Sequence, residues 1–134
     1  MSSILVDNLT GKTTAGNVTV TSEGGAVTMH MQQGLAKAWV EFNGTGTVAI
    51  NDSFNIAGIV DDGTGKYDLT FTNSMNNANF SSTGAAGERS DGGGNRSFGL
   101  RAKSTGGQNC RGFRDGVSAD DLQEMCFHTM GDLA

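Results

Sequence analysis

The sequence contains no proline, and its 134 residues include only two cysteines, one tryptophan and one tyrosine. Without proline, polyproline linkers and X-Pro turns are excluded, and turn formation is left to glycine and asparagine. No apolar run approaches the roughly 18 residues of a membrane-spanning helix, so we expect no membrane insertion. No signal peptide is apparent, and we therefore expect Cys110 and Cys126 to be free, buried thiols in a chain made in a cytoplasm.

Large apolar side chains and positive charge are also scarce. Leu, Ile, Val and Phe make up about 19% of the chain, a level at which disorder is suspected, but the net charge of −5 is modest. A chain with few large apolar residues and 21 glycines fits short strands and many turns. So small a core also predicts that copies of the chain associate with one another, and we expect a homotrimer. The pI of about 4.7 argues against a nucleic-acid partner, because duplex binding requires Lys and Arg to neutralise phosphates.

Residues 36–72 carry the strongest pattern in the chain. They hold the only Trp, the only Tyr and three of the seven Phe. Apolar and polar residues alternate over residues 37–42 and again over 66–71. Between these runs, the apolar residues Phe54, Ile56, Ile59 and Val60 lead into an Asp-Asp-Gly-Thr-Gly loop, which precedes the second alternating run. Period-two alternation beside an Asp-Gly turn predicts a β-hairpin. Five aromatic residues are the predicted packing anchors of this region: Trp39, Phe42, Phe54, Tyr67 and Phe71.

Trp39 allows two interpretations. It lies on the face of its predicted strand opposite Ala38, Val40 and Phe42. It is therefore either buried between sheets or subunits, or exposed to bind something such as a sugar ring. We favour burial at a subunit interface.

Residues 1–35 form a separate N-terminal arm in our interpretation, with a β-domain over 36–134. The arm has few large apolar side chains, and ordering each residue costs about 1–2 kcal/mol, so the arm needs a partner surface. We expect brief strands at 2–9 and 17–21 and extended structure over 26–35, where a helix end at Gly34 is the alternative. A docking segment and a flexible leader fit the arm equally well.

The C-terminal half gives weaker signals. Residues 83–95 are rich in glycine and polar residues and predict a loop, whereas 97–103 alternate and predict a strand. Residues 118–130 fit two structures: Ser118 and Asp121 resemble a helix-capping box, while Met125 and its neighbours alternate as in a strand.

Candidate sites for chemistry are few. Asp61, Asp62 and Asp68 flank a glycine turn but lack the regular ligand spacing of a calcium loop, so we interpret Asp61 as a turn-capping residue. His30 and His128 are isolated histidines, and no Gly-x-Ser-x-Gly nucleophile elbow is present. We therefore predict no catalytic residues, no metal and no cofactor.

Three central segments resemble the shared domain of tail-fibre-like structural proteins of marine bacteriophages. They are residues 37–46 (KAWVEFNGTG), 53–56 (SFNI) and 59–71 (IVDDGTGKYDLTF). Residues 75–80 (MNNANF) are similar to the segment that follows in that family, with Asn76 at the position of the family's proline.

Both ends of the chain share this resemblance. Residues 3–9 (SILVDNL) are similar to the family's N-terminal leader, and 131–134 (GDLA) to its usual C-terminus after a final strand. The resemblance therefore favours strand over helix for 124–130, and it implies a virion-attachment segment at the N-terminus.

Together, pattern and resemblance predict an all-β fold: a small β-sandwich of short antiparallel strands and Gly-rich turns, preceded by an extended N-terminal arm. The resemblance implies a non-enzymatic virion structural protein of the tail-fibre class, with other phage tail or virion proteins and a host-surface glycan as partners. A capsid-decorating protein and a carbohydrate-binding module are the alternatives. The predicted docking residues are Ile4, Leu5, Val6 and Leu9. The candidate receptor-loop residues are Arg89, Asp91, Asn95, Arg96, Arg111 and Arg114.

Overall fold

The structure is a computed structural model that describes residues 3–12, 18–21, 24–25, 27–88 and 94–134. The chain divides into two compact units, Met1–Leu35 and Ala36–Ala134. Strands dominate the described residues, and every strand pairing is antiparallel. The predicted all-β class is confirmed.

The first unit contains a small two-stranded sheet. Strand β1 (Thr19–Thr21) pairs with β2 (Thr28–His30), and a short 3-10 helix follows at Met31–Gly34. The predicted strand at 2–9 is wrong for residues 3–9, which have no strand partner in the described chain. The extended prediction for 26–35 is correct at β2 and wrong at the 3-10 helix, where the helical alternative applies.

The second unit contains two sheets. The four-stranded sheet has the order β4-β3-β11-β7, and the five-stranded sheet has the order β10-β9-β6-β5 with β8 paired to β9. Their bounds are β3 (Ala38–Asn43), β4 (Ala49–Phe54), β5 (Ile56–Asp61), β6 (Lys66–Phe71), β7 (Ser81–Gly87), β8 (Arg96–Ser104), β9 (Gly107–Arg114), β10 (Ser118–Ala119) and β11 (Glu124–Met130).

The core of this unit lies between the two sheets. Phe42 on β3 meets Tyr67 on β6 edge to face, with ring centroids 5.1 Å apart. Alternate residues of β3, β6 and β11 point inward, as period-two side-chain geometry requires. The buried apolar residues are Ala38, Val40, Phe42, Tyr67, Leu69, Phe71, Met75, Phe80, Cys110, Leu122, Met125 and Phe127.

The chain passes from one sheet to the other at Asn55, between β4 and β5. Asn55 has a φ of 57°, in the left-handed region that Asn tolerates better than most residues. Its Nδ2 donates to the Lys37 carbonyl oxygen at 2.9 Å, and its Oδ1 accepts the Asn73 backbone N–H at 2.7 Å. One side chain thus ties the sheet crossover to two other segments.

The predicted hairpin in residues 36–72 is confirmed. Strands β5 and β6 pair with Asp61 opposite Tyr67, and Gly63 and Gly65 take φ values of 105° and 64° in the turn. The Asp61 carboxylate accepts the Gly63 N–H at 2.9 Å, as expected for a turn-capping residue.

Two further expectations were decided by strand pairing. The loop prediction for 83–95 is wrong at residues 83–87, which belong to β7 and pair along their length with β11. Gly84 leaves room there for the Phe98 ring, so the strand packs through a small residue that carries no hydrophobic signal. Of the two structures for 118–130, the strand is correct at 118–119 and 124–130, whereas 120–123 lie between these strands. Strand β11 is hydrogen-bonded to β3 on one side and β7 on the other.

Candidate functional site

The outer face of the four-stranded sheet carries a row of side chains across all four strands. The pairing register places Trp39 opposite Phe54 on one side and His128 on the other, and His128 lies opposite Thr83. A second row runs beside the first, since Glu41 pairs with both Asp52 and Cys126, and Cys126 pairs with Ala85. We define the Trp39 face as these eight residues: Phe54, Trp39, His128, Thr83, Asp52, Glu41, Cys126 and Ala85.

Alternation along β3 explains why an aromatic residue is on this face. Ala38, Val40 and Phe42 point into the core, so Trp39 and Glu41 must point outward. Trp39 remains 37% exposed, and Phe54 is 51% exposed. Two large rings therefore lie side by side on the surface of a hydrogen-bonded sheet.

The predicted packing anchors separate into two groups. Phe42, Tyr67 and Phe71 lie in the core. Trp39 and Phe54 do not lie in the core of the single chain, because the register aligns them with His128 on the solvent side of the sheet. Their assignment as packing anchors of this chain is therefore corrected.

A shallow depression of about 360 Å³ opens on the Trp39 face. Its lining includes Trp39 and Glu41 from β3, His128 from β11, and Thr83 and Ala85 from β7. The small side chains of β7 create the space, while the Trp39 ring forms one wall. The volume is at the lower end of the roughly 300–1,000 Å³ range of small-molecule sites.

The polar groups of this face are mainly acceptors with negative charge. The Glu41 carboxylate accepts a hydrogen bond from Asn51 Nδ2 at 2.9 Å, and Asp52 lies beside Glu41 in the register. Partial burial, followed by the charges of Glu124 and Glu41, raises the pKa of the Cys126 thiol. The thiol therefore stays protonated at neutral pH, which makes it a poor nucleophile.

A second group of polar residues is buried at one end of the core. The Tyr67 hydroxyl lies 2.8 Å from Asp121 Oδ1 and 3.1 Å from the Gly44 carbonyl oxygen, and the Gly65 N–H donates to the same Asp121 oxygen at 2.6 Å. Burial and the Asp121 carboxylate raise the pKa of Tyr67. Since a hydroxyl has one proton, the shorter contact with Asp121 is its main donor bond. The group links three loops, since Gly44, Gly65 and Asp121 each lie between strands, so we interpret it as structural.

Only some of the candidate receptor residues lie close together in the structure. Arg96 Nε donates to Glu88 Oε1 at 2.9 Å, and Arg114 Nε donates to Asp120 Oδ2 at 2.7 Å with Glu88 3.9 Å away. The side chain of Arg96 is only 8% exposed. These cations are engaged by neighbouring carboxylates: Arg96 on β8 by Glu88, which directly follows β7, and Arg114 on β9 by Asp120, which directly follows β10.

Three of these residues do not lie in loops. Arg96 begins β8, and Arg111 and Arg114 belong to β9, because the glycine-rich segments around them pair as strands. Their assignment to receptor loops is corrected. Asn95 lies just before β8 and is exposed, whereas Arg89 and Asp91 lie outside the described residues.

The predicted docking residues of the arm are accessible. Ile4 and Leu5 are 86% and 93% exposed, and Val6 and Leu9 are each 59% exposed. They lie in a described segment that has no strand pairing. Such a run of solvated large apolar side chains is unusual on a protein surface that binds no partner.

Both cysteines are free; Cys110 is buried as expected, and Cys126 is half-buried. Within the described ranges, no group of three or more His, Cys, Asp or Glu side chains is placed to hold a metal ion. The same residues include no helix long and apolar enough to cross a membrane.

Comparison of the chain with protein-family models, curated proteins and solved structures finds no match in any of the three. The functional argument therefore depends on the residues themselves. Sequence reasoning identified Trp39 but missed Phe54, His128 and Thr83 as its neighbours. The alternation in β3 was readable, but the cross-strand register that aligns these residues was not.

Proposed function

We propose that the protein is a non-enzymatic virion structural protein of the bacteriophage tail-fibre class, which docks through its N-terminal arm. One observation carries this proposal: Ile4, Leu5 and Val6 form a continuous, solvated apolar run without strand pairing. The resemblance of residues 3–9 and 36–80 to tail-fibre-like proteins supports the same assignment.

The physical basis for docking is burial of the apolar run against another protein. Fully burying one Val, Leu or Ile side chain contributes about 1.5–3 kcal/mol, so three such residues can anchor a short segment. An extended segment can also add its backbone hydrogen bonds to the edge of a partner's sheet. The expected partners are other tail or virion proteins, and copies of the chain in a homotrimer.

The β-domain suits a structural role because it is a two-sheet scaffold with its own core. A capsid-decorating protein would use the same arm and domain, and only the position in the particle distinguishes it from a fibre. The carbohydrate-binding alternative has a specific observation in its favour, the exposed ring of Trp39.

The docking test compares two full-length variants in virion assembly. Leu5→Asp places a charge in the apolar run, and Val117→Asp is the matched control, since Val117 is 83% exposed in the β-domain. We expect normal incorporation of the control and at least a tenfold loss for Leu5→Asp, equivalent to about 1.4 kcal/mol of docking free energy. Immunogold labelling of particles then separates tail from capsid. Equal incorporation of both variants would show that the arm does not dock the protein.

A further inference from the structure

The Trp39 face combines features that a surface without a binding role does not require. Trp39 and Phe54 are adjacent, half-exposed rings on a rigid sheet, and a depression of about 360 Å³ lies beside the Trp39 ring. Keeping two such rings in water gives up the free energy that their burial would contribute, roughly 25 cal/mol per Å² of apolar surface.

The chemistry around the rings restricts what could cover them. The electron-rich face of an indole attracts the weakly positive C–H groups on one face of a pyranose. Glu41 and Asp52 lie one row away and can accept hydrogen bonds from sugar hydroxyls, while His128 and Thr83 can donate or accept. A flat aromatic platform bordered by hydrogen-bonding groups matches a sugar ring, which has one apolar face and a polar rim.

We propose that the Trp39 face is a binding site for a neutral glycan, with a sugar ring stacked on Trp39 and its hydroxyls directed to Glu41 and His128. The second ring, Phe54, extends the platform for an adjacent sugar unit. This goes beyond the proposed function, because arm docking and glycan binding use different residues in different units of the chain.

The negative charge of this face restricts the class of glycan that it can bind. Asp52, Glu41 and Glu124 all project on this side of the sheet, and they would repel uronic and sialic acids. The same carboxylates oppose a twofold contact between two copies of the chain on this face, since such a contact would bring Glu41 and Asp52 close to their own equivalents. A neutral hexose or N-acetylhexosamine polymer avoids both costs.

The single tryptophan makes the site directly observable. Full-length protein is titrated with cellohexaose, chitohexaose and, as the acidic comparison, hexagalacturonate, while Trp emission is recorded. We expect a saturable blue shift with at least one neutral hexasaccharide at a Kd on the order of 0.1–1 mM, and at least about tenfold weaker binding of hexagalacturonate.

Variants measured by calorimetry assign the binding to this face. Trp39→Ala and Ala85→Phe, which fills the depression, are each expected to weaken binding at least about tenfold. Val60→Ala is the matched control, because Val60 is exposed on the five-stranded sheet, and its affinity is expected to be unchanged. Circular dichroism verifies that each variant is folded.

Three results would overturn the proposal. The first is no binding of either neutral hexasaccharide at about 10 mM, a concentration that detects even very weak sites. The second is undiminished affinity in both Trp39→Ala and Ala85→Phe. The third is self-association in sedimentation that Trp39→Ala abolishes, which would identify a second copy as the occupant.

Discussion

Replacing Tyr67 by Phe removes one oxygen atom from the polar group that Tyr67 forms with Asp121 and Gly44 in the β-domain. The Tyr67 hydroxyl contacts Asp121 at 2.8 Å and the Gly44 carbonyl oxygen at 3.1 Å, and Tyr67 is fully buried. The substitution keeps the edge-to-face packing of this ring on Phe42, because the ring itself is unchanged. The change therefore isolates the hydrogen bonds.

The expected cost follows from the charge of the acceptor. A hydrogen bond to an ionised group contributes about 1.5–3 kcal/mol, and Asp121 keeps a second donor in the Gly65 N–H, which moderates the loss. We expect Tyr67→Phe to lower the free energy of unfolding by about 2 kcal/mol. For a domain of this size, that corresponds to a fall of about 8–16 °C in Tm.

Urea unfolding followed by Trp39 fluorescence measures this cost. The double-mutant cycle with Asp121→Ala tests its origin, since Tyr67→Phe should cost at least about 1 kcal/mol less in the Asp121→Ala background. A loss below about 0.5 kcal/mol for Tyr67→Phe would refute the reasoning, because that is the range of unconnected surface changes.

Three further predictions concern the core and the sheet crossover. Burial, reinforced by Asp68, raises the pKa of Cys110 to about 12 from 9.0, so the contribution of this thiol to the free energy of unfolding should be constant below pH 9.0 and fall as the pH rises from 9.0 to about 12. In a pH series of urea unfolding, Cys110→Ala should lose the part of the fall that begins near pH 9.0 and keep the part above pH 10.0 that comes from Tyr67, whose pKa is also raised. Gly84→Ala should lower the free energy of unfolding by about 1–3 kcal/mol, detected as a fall in Tm, because the added Cβ would overlap the Phe98 ring and lie 2.8 Å from the Cys126 carbonyl oxygen. Gly58→Ala is the control, because the space around Gly58 is open. Asn55→Ala should destabilise the protein more than Asn55→Gly by about 1 kcal/mol, since both lose the side-chain bonds but only Ala is strained at a φ of 57°; equal losses in calorimetry would contradict this.

The hairpin in residues 36–72 shows what local patterning can predict. Apolar runs on both sides of an Asp-Gly turn predict two strands without any long-range contact, and the strict alternation over 66–71 also predicts the inward face of β6. Strands β5 and β6 and the Asp61 cap match. Strand β8 was predicted for the same reason.

Strand β7 shows where this reasoning fails. Its glycines and alanines have no hydrophobic period, so its sequence is that of a loop until β11 supplies the hydrogen-bond partners. The assignment of Arg96, Arg111 and Arg114 to loops was wrong because the glycine-rich segments beside them form β8 and β9, which pair with each other as consecutive strands and, through β9, with β6.

Trp39 separates these two kinds of information. The sequence establishes that this side chain lies opposite Val40 and Phe42, since alternation is a local property of an extended chain. The sequence does not show that Phe54, His128 and Thr83 lie beside Trp39, because neighbours across a sheet depend on the strand register. Packing and hydrogen bonds between distant segments set that register; Trp39 and His128, for example, are 89 residues apart in the chain. The all-β class is therefore local information, whereas the candidate glycan site exists only in the tertiary structure.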